Sequence, residues 1–304
     1  MKYFFILITV LLLSCSPSTP SAEDELNKLA KAYEIQPNTE RATAYLTKAT
    51  DFIGENKNNM AQVMPILKKA SEIAMDAKML SRASGYLMAQ IRESNEEAGI
   101  KENLIQLGGI MKSLNKAHAA NIIFKGLMES FPNDNEVSAL ESELTAELAS
   151  AEGYLNYLFD QVLVEPDEYG INRQNATKYV DGTEAFALTL PKDKNTPDFL
   201  YKAAEVARSL RTMPKAMALY DWILDKYPNH DKGPTTLFIK GFLLEQEFGQ
   251  EDEAKLVYEK FLEMYPEHEM ASSAKFLLSN MGKSDEEILK DIEEKRKTNP
   301  DQES

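Results

Sequence analysis

Three histidines, one cysteine and a large excess of carboxylates are the residues of this chain that could do chemistry. A zinc hydrolase needs two histidines one helical turn apart with a glutamate between them. His118, His230 and His268 have no such spacing. His230 and His268 each follow a Tyr-Pro pair by one residue, and a turn is the place for both. Paired carboxylates such as Glu251-Asp252-Glu253 read as solvated helix faces. Asn133-Asp134-Asn135-Glu136 offers oxygen ligands but lacks the glycine and the distant glutamate of a calcium loop. No glycine-rich phosphate loop, dinucleotide fingerprint or Gly-x-Ser-x-Gly elbow occurs. The sequence therefore predicts no enzyme, no cofactor and no metal. Trp222 is the single tryptophan, and its alignment with Lys260 predicts partial exposure.

Cys15 is the only cysteine, so neither an intrachain disulfide nor a thiolate cage can form. It follows Lys2, an apolar run from Tyr3 to Leu13, and Ser14. A short basic start, an apolar core and a small residue are the layout of a signal peptide. The run is well short of the roughly 20 residues that span a bilayer. Leu12-Leu13-Ser14-Cys15 resembles the bacterial lipobox, which implies lipidation of Cys15 and cleavage before it. Acyl chains contribute about 0.8 kcal/mol per buried CH2, so the two or three chains of a lipoprotein would hold firmly. Ser16 after the cysteine points, by the same resemblance, to the outer membrane. Ser16 to Asp24 is rich in Ser and Pro and reads as an extended tether.

The net charge of -15 comes from 49 acidic and 34 basic residues. Such a surface repels phosphate backbones and anionic lipid, so no nucleic acid is expected, and membrane attachment must come from an anchor. Apolar residues make up 43% of the chain, enough for a packed core.

The body repeats itself. Residues 199–230 and 237–268 align without gaps at a shift of 38, with seven identities: Lys202/Lys240, Ala216/Ala254, Tyr220/Tyr258, Leu224/Leu262, Tyr227/Tyr265, Pro228/Pro266 and His230/His268. Residues 103–134 align with 199–230 at a shift of 96 through Leu104, Ser113, Leu114, Ala120, Pro132 and Asn133. Within a copy, Leu200, Ala203, Val206 and Leu210 share one helical face, and Ala216, Tyr220, Ile223 and Tyr227 share another. Each copy is thus a pair of helices, with Pro228 or Pro266 closing the second.

Phe238, Gly241, Ala254, Tyr258 and Pro266 resemble the tetratricopeptide repeat (TPR), as do Leu107-Gly108, Ala120, Phe124 and Pro132. The 38-residue spacing departs from the usual 34 or so. The resemblance implies an all-α fold, a right-handed superhelical array of antiparallel helix hairpins, because one hairpin cannot bury its own apolar face. It also implies a concave surface lined by first helices, with Tyr201, Glu205 and Arg208 in one copy and Ile239, Leu243 and Gln246 in the next.

The expected organisation is a signal peptide (1–14), a tether with lipidated Cys15 (15–25) and a diverged helical region (26–100). A TPR-like hairpin with irregular helices follows (101–196), then tandem TPR hairpins with a capping helix (197–283) and a charged C-terminal helix and tail (284–304). The expected function is a membrane-anchored, non-enzymatic TPR scaffold that binds envelope proteins through its concave surface, similar in general type to the TPR lipoprotein of the barrel-assembly machine (BamD-like). The alternative is a capture lipoprotein that presents glycan or peptide to an outer-membrane transporter.

Overall fold

The computed structural model describes residues 21–94, 99–168, 170–284, 286–290 and 293. Cys15, the leader and most of the tether lie outside them, as does most of the expected C-terminal helix. The described residues are helical throughout their regular structure, and no strand occurs among them. The chain divides into two compact units, Met1–Glu93 and Ser94–Ser304.

The first unit holds α1 (Ala22–Ile35), α2 (Thr39–Glu55), α3 (Met60–Asp76) and α4 (Leu80–Glu93), each packed on the next. Ser21 and Asp24 form a capping box at the start of α1. Asn38 caps α2 by accepting the Arg41 N–H. The Tyr33 hydroxyl donates to Asp76 at 2.6 Å, which ties α1 to the end of α3. The Tyr86 hydroxyl reaches the Leu46 carbonyl at 2.9 Å, which ties α4 to α2.

The second unit opens with the hairpin of α5 (Ile100–Ser113) and α6 (Ala117–Ser130). Sequence patterning predicts one or two helices over 137–164. The chain instead makes a short α7 (Asn135–Ser138), a 3-10 turn over Ala139–Glu143, and α8 (Ala151–Asp160). Between them the chain is held by buried Asn121, which accepts the Thr145 N–H and donates to its hydroxyl, both at 3.0 Å. Helix α9 (Arg173–Thr189) ends before Pro191 and packs on α6, α8 and α10. Two hairpins follow: α10 (Thr196–Ser209) with α11 (Met213–Lys226), and α12 (Gly233–Gln246) with α13 (Glu251–Met264). Helix α14 (Ala271–Asn280) covers α13, and Ser284 and Glu287 form a capping box after it.

One pattern recurs in four hairpins: a small residue on the first helix, and on the second a small residue with a large side chain four positions on. The sets are Ser71, Ala83 and Leu87; Gly108, Ala120 and Phe124; Ala204, Ala216 and Tyr220; Gly241, Ala254 and Tyr258. In two of them the approach is close: a Cβ on Gly108 would stand 2.2 Å from the Phe124 ring, and one on Gly241 2.7 Å from the Tyr258 ring. The large members are all at most 2% exposed. The short turns repeat too. Lys78, Asn115 and Arg211 take a left-handed conformation with φ of 57°, 59° and 60°. The residue after each donates its N–H to the fifth residue back: Ala74, Met111 and Ala207.

Candidate protein-binding surface

The first helices of the last two hairpins, α10 and α12, carry the surface that the sequence singles out, and α14 lies next in the array. Its register needs one correction. Helices α11 and α13 start 38 residues apart, but α10 and α12 start only 37 apart. Pro197 and Pro234, in the first turn of each, keep the shorter spacing. The turn holds the extra residue: Thr212 N–H bonds Ala207 O, whereas Gln250 N–H bonds Leu244 O, and Glu247 and Phe248 both bond Leu243 O. A gap-free shift of 38 therefore lands one residue late on α12, which rotates the predicted face by about 100°.

The structural counterparts of Tyr201, Glu205 and Arg208 are thus Phe238, Phe242 and Glu245. Leu243, expected on the binding face, is 1% exposed and belongs to the core. Ile239 is half-buried beside it, and Gln246 is exposed at the helix end. Trp222, expected to be partly exposed, is 6% exposed and buried in α11.

In the corrected register the sixth residue of each first helix is aromatic: Tyr201, Phe238 and Phe276. Each of the first two stands on the second helix of its own hairpin, Tyr201 with its centroid 6.2 Å from Tyr220 and Phe238 5.9 Å from Tyr258. The Tyr258 hydroxyl donates to Glu245 at 2.9 Å, and that of Tyr220 donates to Glu205. Burial first, and then the neighbouring carboxylate, pushes both phenols well above the ordinary tyrosine pKa, so both remain donors. Glu205 also accepts from Arg208 at 3.1 Å through each oxygen. Burial works against the Arg208 charge, but Tyr220 and Glu205 outweigh it and raise its pKa.

Along the array the same surface changes character. At α10 it is polar, through Glu205 and Arg208. Between α12 and α14 it becomes an apolar cleft of about 490 Å³ lined by Phe238, Phe242, Phe276 and Leu277, with Ser272 and Ser273 at its rim. Phe242 is 36% exposed and Phe276 48% exposed. Rings that are held from behind and open in front suit the apolar anchors of a peptide or helix.

The histidines behave as turn residues. The Nδ1 of His230 accepts the Lys232 N–H at 3.3 Å, and that of His268 accepts the Met270 N–H at 3.2 Å. Asp198, His230 and Asp231 bring three possible metal-ligand atoms within 4.8 Å of one another. The Nε2 of His230 faces Asp231 at 3.2 Å and Asp198 at 3.6 Å, so the ring lies between two carboxylates.

Sequence reasoning missed Phe242 and Phe276; the pair Pro197 and Pro234 is the signal that finds Phe242. No curated protein matches the chain. Residues 235–268, spanning most of α12, all of α13 and the turn to His268, match the tetratricopeptide repeat family. With that repeat embedded in hairpins of one pattern, the chain is an all-α, TPR-like helical array of the kind that mediates protein–protein interaction.

Proposed function

We propose that this chain is a non-enzymatic scaffold of a bacterial cell envelope, anchored by a lipid on Cys15 and binding envelope proteins through its first-helix surface. The observation that carries the binding half is the apolar Phe238, Phe242 and Phe276 cleft: Phe242 and Phe276 are exposed, and Phe238 and Phe242 lie on the segment that matches the repeat family. The leader sequence supports the anchor, with its apolar run ending at Ser14-Cys15. No helix among the described residues is long and apolar enough to cross a membrane, so attachment would fall to the cysteine. The outer membrane, with the body in the periplasm, fits Ser16. The general type is that of the barrel-assembly TPR lipoprotein. Exposure of Trp222 would favour the capture alternative, and Trp222 is 6% exposed.

Crosslinking of the full-length protein in its native cells, with mass spectrometry of the captured proteins, tests the reading. A reproducible set of envelope proteins should appear and should shrink for Phe242→Glu and Phe276→Glu. Capture of nothing above background, or of a set that ignores both substitutions, would overturn it. Cys15→Ala should move the protein from the membrane to the soluble fraction, and unchanged fractionation would sink the anchor.

A further inference from the structure

Three of the seven arginines in this acidic chain line one cleft of about 910 Å³ in the second unit. Arg173 comes from the start of α9, Arg208 from the last turn of α10, and Arg211 from the turn after it. Ile171 and Met213 add apolar wall, and Glu205 is the single carboxylate lining it. The arginines are held in different ways. One nitrogen of Arg173 donates to the Leu210 carbonyl at 3.0 Å, which leaves its other donors available. Arg208 leans on both oxygens of Glu205. Arg211 is exposed.

The conformation of Arg211 is a second, independent observation. Its φ is 60°, in the left-handed region that side chains with a Cβ avoid. The same turn position holds Asn115 after α5, and the left-handed residue after α12 is Gly249. Both are residues that suit the conformation, and an arginine there is retained at a cost. Lys78 takes the conformation in the first unit as well, so it is the cleft beside Arg211 that sets this turn apart.

We propose that this cleft is a second recognition site, one that takes side-chain carboxylates of an acidic segment in a protein partner. Guanidinium forks match planar carboxylates through paired N–H donors. Three guanidiniums supplied by three segments fit a run of carboxylates better than a single ion. Glu205 argues against phosphate, since a dianion beside it meets more repulsion than a singly charged carboxylate. In a chain of net charge -15 a cluster of three arginines is a local reversal of sign that favours an acidic segment over a basic one. The proposal rests on the reading of the chain as a protein-binding array. It concerns the polar α10 end of the first-helix surface, where Glu205 and Arg208 lie, and not the aromatic cleft between α12 and α14.

The test is fluorescence anisotropy of a labelled glutamate-rich peptide on the full-length protein, beside the same peptide with every Glu changed to Gln. The Glu peptide should bind and weaken with salt, and the Gln peptide should not bind. Arg211→Gly and Arg173→Gln should each lower affinity about tenfold. Arg211→Gly relieves the backbone, so its melting temperature should hold or rise while binding falls, which separates recognition from folding. Equal binding of the Gln peptide, unchanged affinity in Arg211→Gly, or competition by inorganic phosphate as effective as by the Glu peptide would each overturn the assignment. Peptide binding without capture of envelope proteins in cells would overturn the scaffold reading and leave this site standing. Capture without peptide binding would do the reverse.

Discussion

Gly108 and Phe124 approach so closely that a Cβ on the glycine would stand 2.2 Å from the ring Cε1 and 2.7 Å from Cζ. Phe124 is 2% exposed and has no room to retreat. Gly109, its neighbour, has nothing within 4 Å of the same construction. Gly108→Ala should therefore cost about 2 kcal/mol through overpacking. Gly109→Ala should stabilise by about 0.5–1 kcal/mol through helix propensity. Urea unfolding of the two variants measures both. Equal effects at the two positions would mean that the helices are not in contact there.

The left-handed turns make a second contrast. Lys78 has φ 57° and Gly249 φ 63°. Lys78→Gly relieves strain and should be neutral or stabilise by up to about 1 kcal/mol, whereas Gly249→Ala imposes strain and should cost about 1 kcal/mol. Thermal melts of both variants check the pair, and a loss in Lys78→Gly would show that the lysine side chain does more than occupy the turn.

These turns also explain what could be read from the sequence and what could not. Six of the seven identities between the last two copies lie on the second helix and the turn after it, where proline and the aromatics fix the register. On the first helix only Lys202/Lys240 supports the gap-free shift, and that match is accidental. The extra residue sits among Glu247-Phe248-Gly249-Gln250, a turn with no residue type that marks an insertion. The fold survives such a slip because both registers bury a helical face. The binding surface does not survive it, because one residue exchanges Phe242 for Leu243. The arginine cleft was less legible still: Arg173 is more than thirty residues from Arg208 and Arg211, and only the packing of α9 on α10 joins them.

Two buried tyrosines should answer oppositely to loss of the hydroxyl. That of Tyr258 donates to Glu245 at 2.9 Å. That of Tyr179, buried in α9 against Phe159, has only the Thr183 hydroxyl one turn on as a polar neighbour and makes no well-formed hydrogen bond among the described residues. Tyr258→Phe should cost about 1 kcal/mol, since the hydroxyl's bond to the Glu245 carboxylate is lost. Tyr179→Phe removes an unsatisfied buried group and should be neutral or stabilise by about 1 kcal/mol. Chemical denaturation of the two single variants decides. A large loss in Tyr179→Phe would indicate an ordered water at that hydroxyl.

Asp181 gives the acid limb of stability a specific origin. Its side chain is 17% exposed, with Lys116 Nζ at 2.9 Å and His118 Nε2 at 3.5 Å. Burial tends to raise its pKa, but His118 and Lys116 together outweigh burial and hold the carboxyl below the usual aspartate value. A native pKa below the unfolded one means that folding favours the charged form. The contribution is then complete above the unfolded value, about pH 4, and is lost as pH falls through the lower native value. Asp181→Asn should therefore be destabilised by about 1 kcal/mol at neutral pH, and the deficit should close as the pH drops below 4. Lys116→Ala should show a smaller deficit in the same window, because that lysine is 40% exposed and solvent screens its charge. Urea midpoints measured from pH 7 down to the acid transition test this. A deficit in Asp181→Asn that stays constant across the range would assign Asp181 a packing role in place of an electrostatic one.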